Sequence, residues 1–89
     1  MNIYFISQNE NRGYDTYDSA VVAAAMPRDA RNIHPSFCNF TWSGDDWETD
    51  KGYTSFDDWP SPDKVNVEFI GVAKEGTEPG VICSSYNAG

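Results

Sequence analysis

Alternate acidic residues beginning at position 46 have the spacing of ligands in a calcium-binding loop. Asp46, Glu48 and Asp50 would take its first, third and fifth positions, and Asp57 its twelfth. Such a loop has glycine at its sixth position and a bidentate glutamate at its twelfth. Here the sixth position is Lys51, and an aspartate replaces the glutamate. We therefore favour a solvated acidic loop over a calcium site, and we expect no metal and no cofactor.

Catalytic chemistry has few candidate residues in this chain. His34 is the single histidine, and it precedes Pro35 at the end of a predicted helix, where a histidine is usually a helix-end cation or a packed ring. We find no Cys-x-x-Cys pair and no glycine-rich phosphate-binding loop. Paired carboxylates are plentiful, so a carboxylate-based hydrolase stays an alternative, but 89 residues leave little wall for a deep cleft. We expect a protein that is not an enzyme.

The segment from Thr41 to Asp63 concentrates acidic and aromatic residues. It contains all three tryptophans, seven of the fourteen acids and a single base, Lys51. Tryptophan within charged sequence is typical of interface anchors, although the same rings could be core residues that hold a loop in place. We interpret most of this segment as a loop and predict that it contacts a partner through nine residues: Asp45, Asp46, Trp47, Glu48, Asp50, Asp57, Asp58, Trp59 and Asp63.

The spacing of these acids also suggests a specific kind of partner. In extended chain, Asp46, Glu48 and Asp50 would project to one side, about 6.6 Å apart. A nucleic-acid strand carries one charge about every 3.4 Å of its axis. A second acidic row, from residues 57, 58 and 63, would bring the surface close to that density. The pattern therefore predicts a mimic of DNA, with carboxylates in the places of phosphates; the alternative is an acidic loop that is merely solvated.

The net charge limits the partners further. Fourteen acids against six bases give a charge of −8, which disfavours binding to DNA, RNA or an anionic membrane. A basic protein surface is the natural partner, and solubility alone is the alternative explanation. Cys38 and Cys83 are the two cysteines. Because they lie far apart and no leader pattern begins at Met1, we expect a reducing cytoplasm and no disulfide. Cys83 lies in an apolar strand pattern, where a buried thiol is common, so we expect it to be buried.

The elements that must position this segment form one predicted domain over residues 1–89. Residues 15–25 are ambiguous between helix and strand, and we favour a strand because a better helix follows. The last two strands are predicted to pair as a hairpin, and Gly71 is expected to mark a bulge in the first of them. The expected fold is α+β, with a four-stranded, mostly antiparallel sheet, one short helix on a face and the acidic aromatic insertion. The predicted strands are Asn2–Gln8, Ser19–Ala25, Lys64–Lys74 and Val81–Tyr86, and the helix is Pro27–His34.

Three stretches resemble small uncharacterised proteins encoded by phages and prophages: YDTYDSAVVAAA, ARNIHP and VNVEFIGVAKEGTEPGVICSSYNAG. The resemblance covers roughly residues 2–35 and 64–89. Small acidic phage proteins of this kind are similar to anti-CRISPR proteins, many of which occupy the DNA-binding surface of a CRISPR surveillance complex. The resemblance implies a monomeric inhibitor of a type I complex in the cytoplasm of a bacterial host. It implies no catalytic residue. The alternative is a phage accessory or structural protein.

Overall fold

The computed structural model describes residues 1–10, 16–36, 40–54 and 59–87. Its largest element is a four-stranded antiparallel sheet, accompanied by one short helix and a separate two-stranded sheet, so the predicted α+β class is confirmed. The main sheet has the strand order β5-β1-β2-β6. Its strands are β1 (Asn2–Ser7), β2 (Thr16–Ala24), β5 (Asn66–Val72) and β6 (Gly80–Asn87); the small sheet is β3 (Thr41–Trp42) with β4 (Trp47–Glu48), and the helix is α1 (Pro27–Arg31).

The two central strands, β1 and β2, provide most of the buried face of the sheet. They pair antiparallel, with Tyr4 opposite Val22 and Ile6 opposite Ala20, and all four side chains are buried. Apolar residues on both faces of β1 predict an interior strand, and the structure confirms it. It also confirms the strand that was favoured over a helix for Ser19–Ala25, although this strand begins earlier, at Thr16, and ends at Ala24.

The prediction that the last two strands pair as a hairpin is wrong. β5 pairs with β1 and β6 pairs with β2, so these two strands form opposite edges of the sheet. Strands that follow each other in sequence usually pair, which is why a hairpin was expected. Their connection, residues 73–79, has seven residues and can reach about 23 Å. The gap from edge to edge is about 14 Å, so the connection can cross the end of the sheet.

Both edge strands contain a bulge. On β5, Ile3 lies opposite Gly71 and Tyr4 lies opposite Phe69, so Ile70 has no partner on β1. The irregularity predicted at Gly71 is therefore present, one residue earlier. On β6, Ile82 is the extra residue in the same way, because Val22 pairs with Val81 and Val21 pairs with Cys83.

Helix α1 packs on β1, β2 and β5, and it is shorter than predicted. Pro27 occupies the first turn, as expected, but the helix ends at Arg31 rather than His34. The Asn32 side chain donates to the Arg28 carbonyl (2.7 Å), which satisfies a carbonyl at the end of the helix. The Arg31 side chain donates to the Val65 carbonyl (2.9 Å) and so ties α1 to the segment that leads into β5.

The core lies on one face of the main sheet. It combines sheet residues with Ala30 of α1, with Val65 and with two tryptophans of the acidic segment, Trp47 and Trp59. The expectation of a buried Cys83 is wrong, because Cys83 is exposed. Its position is opposite Val21, whose neighbour Val22 points into the core, so Cys83 lies on the other face of the sheet. Among the described helices, none has the length and apolar character that crossing a membrane would require.

Candidate functional site

The acidic segment begins with a small hairpin that Ser43 closes. Trp42 of β3 lies directly opposite Trp47 of β4. The Ser43 N–H donates to the Asp46 carbonyl (2.9 Å), and the Ser43 hydroxyl donates to the same oxygen (3.0 Å). That hydroxyl also accepts the N–H groups of Asp45 and Asp46 at 3.3 and 3.1 Å. Gly44 has φ +109°, which glycine adopts without strain. Asp45 and Asp46 are therefore held in an ordered turn.

A second turn follows β4 at once. The Gly52 N–H donates to the Thr49 carbonyl (3.0 Å), and the Thr49 N–H donates to the Tyr53 carbonyl (2.9 Å). Glu48 forms an isolated bridge with Thr54, so the chain passes three times, side by side. Asp50 lies in this second turn and is exposed. We refer to residues 41–54 as the acidic hairpin.

The straight acidic row expected from extended chain is therefore only partly formed. Asp46 belongs to the turn before β4, Glu48 belongs to β4 itself, and Asp50 belongs to the turn after it. Because Trp47 points into the core, the alternation within β4 directs Glu48 to the opposite side. The turns at both ends break the regular spacing that an uninterrupted strand would have given. The carboxylates are therefore not arranged along one straight strand.

Trp47 anchors the acidic hairpin to the rest of the fold. Its side chain is only 3% exposed, and its indole N–H donates to the Pro60 carbonyl (2.9 Å). Its ring also packs against Trp42 across the hairpin, with a distance of 5.4 Å between ring centres. Cross-strand aromatic pairs of this kind contribute roughly 0.2–1 kcal/mol. The hairpin is thus fixed by a buried ring, a buried hydrogen bond and a cross-strand contact.

His34 lies at the centre of the rings that hold this hairpin. It is 2% exposed, and its ring centre lies 4.8 Å from that of Phe40 and 5.3 Å from that of Trp47. The rings of Tyr17 and Trp59 lie at 6.0 and 6.3 Å. The Ser36 N–H donates to His34 Nδ1 (3.0 Å), which directs the ring. Of the two roles that the sequence left for His34, the packed ring is confirmed.

The same burial shows how the two predicted tryptophan anchors are used. Trp47 and Trp59 are 3% and 4% exposed and belong to the core, which is the alternative that the sequence had left open for them. Neither indole presents a large surface to a partner in this conformation. The exposed charged side chains of the acidic hairpin are instead Asp45, Asp46, Asp50 and Lys51, whereas Glu48 is half-buried. Contact between these carboxylates and a partner stays a prediction.

Asp63 lies outside the acidic hairpin, in a 3-10 turn over Pro62–Lys64. Pro60, which accepts the Trp47 indole hydrogen bond, is three residues before it. The Ser61 hydroxyl donates to Asp63 Oδ1, and this hydrogen bond lowers the pKa of Asp63 below its ordinary value; Lys64 and Arg31 lower it less. Asp63 is exposed and accordingly stays ionised well into the acidic range. The predicted contacts Asp57 and Asp58 lie outside the described residues.

The carboxylates of the acidic hairpin have no basic partner among the residues that the structure describes. Within the described residues, no lysine or arginine side chain forms an ion pair with Asp45, Asp46, Glu48 or Asp50. Metal binding has no geometric support there either, since no three His, Cys, Asp or Glu side chains of the described chain gather around one point. Ionised carboxylates donate no hydrogen bond, but they can accept charge-assisted hydrogen bonds from basic side chains.

A cleft of about 400 Å³ lies beside His34, between the end of α1, the start of β3 and the start of β6. Among the described residues, its lining includes Ser36, Phe40 and Val81 but no aspartate or glutamate. Glycoside hydrolysis of the usual kind requires two carboxyl groups that flank the bond to be cleaved. This cleft therefore gives no support to the hydrolase alternative.

Two features that position the site were not predicted from the sequence: the closing of the first turn by Ser43 and the place of His34 among several aromatic rings. Ser43 closes the first turn, and the pattern Ser-Gly-Asp-Asp is a turn signal from which this role could have been inferred. The role of His34 as the hub of an aromatic cluster has a weaker signal, its apolar neighbours Ile33 and Pro35. No protein-family model, no curated protein and no solved structure matches this chain.

Proposed function

We propose that this protein is an inhibitor that binds a basic, nucleic-acid-binding surface of a bacterial defence complex and so excludes DNA from it. The resemblance to phage-encoded anti-CRISPR proteins favours the type I CRISPR surveillance complex as the target. The supporting observation is that unpaired negative charge lies on a fixed backbone. The carboxylates of the acidic hairpin form no ion pair within the described chain, and Trp47 ties the strand between them to the core.

The mechanism follows from what a DNA-binding surface offers. Such a surface presents lysine and arginine side chains that are placed to meet phosphates. Carboxylates accept charge-assisted hydrogen bonds from the same groups. A fixed hairpin lowers the entropy that is lost when those bonds form, because the turns of Asp45, Asp46 and Asp50 are already ordered. The net charge of −8 would also steer the protein toward a basic target.

A competition experiment tests this proposal. The protein is immobilised and used to capture a purified type I surveillance complex, and a DNA duplex carrying the target sequence is then added. We expect the duplex to displace the complex, and we expect capture to weaken steeply as salt is added, because the contacts are between charges. Simultaneous binding of DNA and protein would contradict the mimic mechanism.

The alternative of a phage accessory protein has a different outcome in the same assay. If acidity serves only solubility, no captured complex is expected at any salt concentration. Direct binding of the protein to nucleic acid is a further check, since phosphates repel a chain of this charge most strongly at low salt. Retardation of a labelled duplex under those conditions would rule out the mimic.

A further inference from the structure

The cleft beside His34 is bounded by elements that are far apart in the sequence. The end of α1, the start of β3 and the start of β6 meet there, and they enclose about 400 Å³. Sites for small molecules typically have volumes of about 300–1,000 Å³. The cleft is therefore large enough for a ligand of one or two rings.

The inner side of the cleft is apolar and its rim is polar. Ile33, Phe40 and Val81 are half-buried, and each packs against the core while it also lines the cleft. Asn32 and Thr41 line it as well, and both are exposed. A lining of this kind covers an apolar ring on one side and offers hydrogen bonds to its edge on the other.

The charge of the lining indicates an uncharged ligand. Among the described residues, the cleft has no acidic side chain and no lysine or arginine. His34 lies on its inner side, and its Nδ1 accepts the Ser36 N–H, so this nitrogen carries no proton and the ring is uncharged in this arrangement. An ionised ligand would lose its hydration in the cleft without gaining an opposite charge. The net charge of −8 disfavours an anion in addition.

Two side chains indicate the shape and the hydrogen bonding of such a ligand. Phe40 is half-buried, and its ring centre lies 4.8 Å from that of His34, with the two planes tilted by 51°. Aromatic rings attract one another in offset and edge-on contacts, so a further flat ring is suited to Phe40. The Thr41 hydroxyl donates to the Glu48 carbonyl (3.4 Å), so its oxygen is left to accept a hydrogen bond from a ligand.

We propose that this cleft binds an uncharged, planar aromatic molecule of one or two rings with an N–H donor at its edge. The ring lies against Ile33, Phe40 and Val81, and the N–H donates to the Thr41 hydroxyl. Because the ligand contacts residues that come together only in the folded chain, it should raise the melting temperature. No acidic side chain of the acidic hairpin lines the cleft, so ligand binding here is independent of the proposed inhibition.

Titration of the isotopically labelled protein with indole, followed by NMR, tests the site. We expect saturable shifts of the backbone amides that line the cleft, with a dissociation constant of about 1 mM or below, which a ligand of this size can reach. N-methylindole lacks the N–H donor, and indoleacetate is an anion. Each should bind at least about fivefold more weakly than indole, because one hydrogen bond is lost or one charge is left unpaired.

Three variants locate the binding in the cleft. Val81→Phe should weaken indole at least about tenfold, because the larger side chain occupies the space of the ligand. Ile82→Phe is the matched control: it adds the same ring one residue later on β6, at a 48% exposed position that is not among the described lining residues, and should leave the affinity unchanged. Thr41→Val removes the hydroxyl at an exposed position. It should weaken indole about fivefold and leave N-methylindole unchanged.

Each result supports or overturns the site. Amides that do not shift up to the solubility limit of indole overturn it, and so does an affinity for indoleacetate equal to that for indole. An indole affinity that stays unchanged in Thr41→Val or in a folded Val81→Phe does the same. The amide spectrum shows whether each variant is folded. All three variants keep the carboxylates of the acidic hairpin, so failure of the cleft leaves the inhibition assay unaffected.

Discussion

At the scale of single residues, the contacts of His34 join distant parts of the chain. Tyr17 comes from β2, and Trp47 comes from the acidic hairpin. Phe40 directly precedes that hairpin, and Trp59 comes from the segment before β5. A small domain has a thin core, so a few buried rings supply a large share of its stability. Trp47 and Trp59 of the acidic segment therefore stabilise the fold by packing in the core, and they are not exposed for contact with a partner.

Replacement of Trp47 by alanine tests that role. We expect Trp47→Ala to lower the free energy of unfolding by about 3–5 kcal/mol, since it empties a buried site and leaves the Pro60 carbonyl without its donor. Tyr53→Ala, at an exposed position of the same hairpin, should change it by no more than about 0.5 kcal/mol. Chemical denaturation of both variants measures the difference. Equal stability of the two would show that Trp47 does not anchor the hairpin.

Replacement of Ser61 tests the electrostatics of Asp63. Ser61→Ala removes the hydrogen bond to the carboxylate, so the pKa of Asp63 should rise toward its ordinary value, which is about 3.9. When the pKa of an acid is lower in the folded state than in the unfolded state, ionisation of that acid stabilises the fold. This contribution is complete at a pH above the unfolded-state pKa and is lost as the pH falls through the folded-state pKa. Ser61→Ala should therefore be less stable than the unmodified protein at neutral pH, but this difference should vanish at a pH below both pKa values. Titration of the Asp63 carboxyl carbon by NMR checks the shift; an unchanged pKa would contradict it.

At the scale of elements, the sequence predicted whether a segment is a strand or a helix better than it predicted which strands pair with each other. Alternating or continuous apolar residues indicated the four strands, and Pro27 marked the helix start. The pairing of β5 with β6 was predicted wrongly because strands that follow each other in sequence usually pair, and the apolar residues Phe69, Ile70 and Val72 do not themselves indicate a partner. The structure leaves them exposed at an edge. Periodicity reports that a surface is apolar and does not report what covers it.

The acidic hairpin was predicted as loop for a related reason. Its strands have two residues each, which is too short for any periodic signal. Its order depends on Ser43, on the conformation of Gly44 and on burial of Trp47, and the last of these depends on tertiary contacts that no local pattern contains. The acidic residues themselves were identifiable from composition, whereas the strands and turns that hold them in place were not.

Gly44 provides a test of that frame. Gly44→Ala places a side chain at φ +109°, and no atom lies near the added methyl group, so the effect is backbone strain alone. We expect a loss of about 1 kcal/mol or more. Gly71→Ala is the control, because its methyl group also meets nothing and its φ is not in the left-handed region. Thermal melting of both variants measures the effect, and an equal melting temperature would argue against an ordered turn.

At the scale of the whole molecule, the net negative charge lowers the stability of the folded chain. Eight net negative charges favour solubility and steering but destabilise a compact chain through self-repulsion. Asp45, Asp46, Glu48 and Asp50 concentrate part of that repulsion in six positions without a compensating ion pair in the described chain. A cluster that costs stability and is held by a defined frame is what a binding surface requires.

The most direct test of the proposed function is CRISPR interference by a variant with Asp45→Asn, Asp46→Asn, Glu48→Gln and Asp50→Asn. We expect its melting temperature to stay the same or rise, because exposed carboxylates contribute little stability individually and repel one another. We expect inhibition of the type I complex to be lost. The control neutralises Glu10, Asp18, Glu75 and Glu78, which are exposed elsewhere, and reaches the same net charge of −4 from −8. It should keep most of its inhibition. A hairpin variant that melts normally and still inhibits fully would contradict the account.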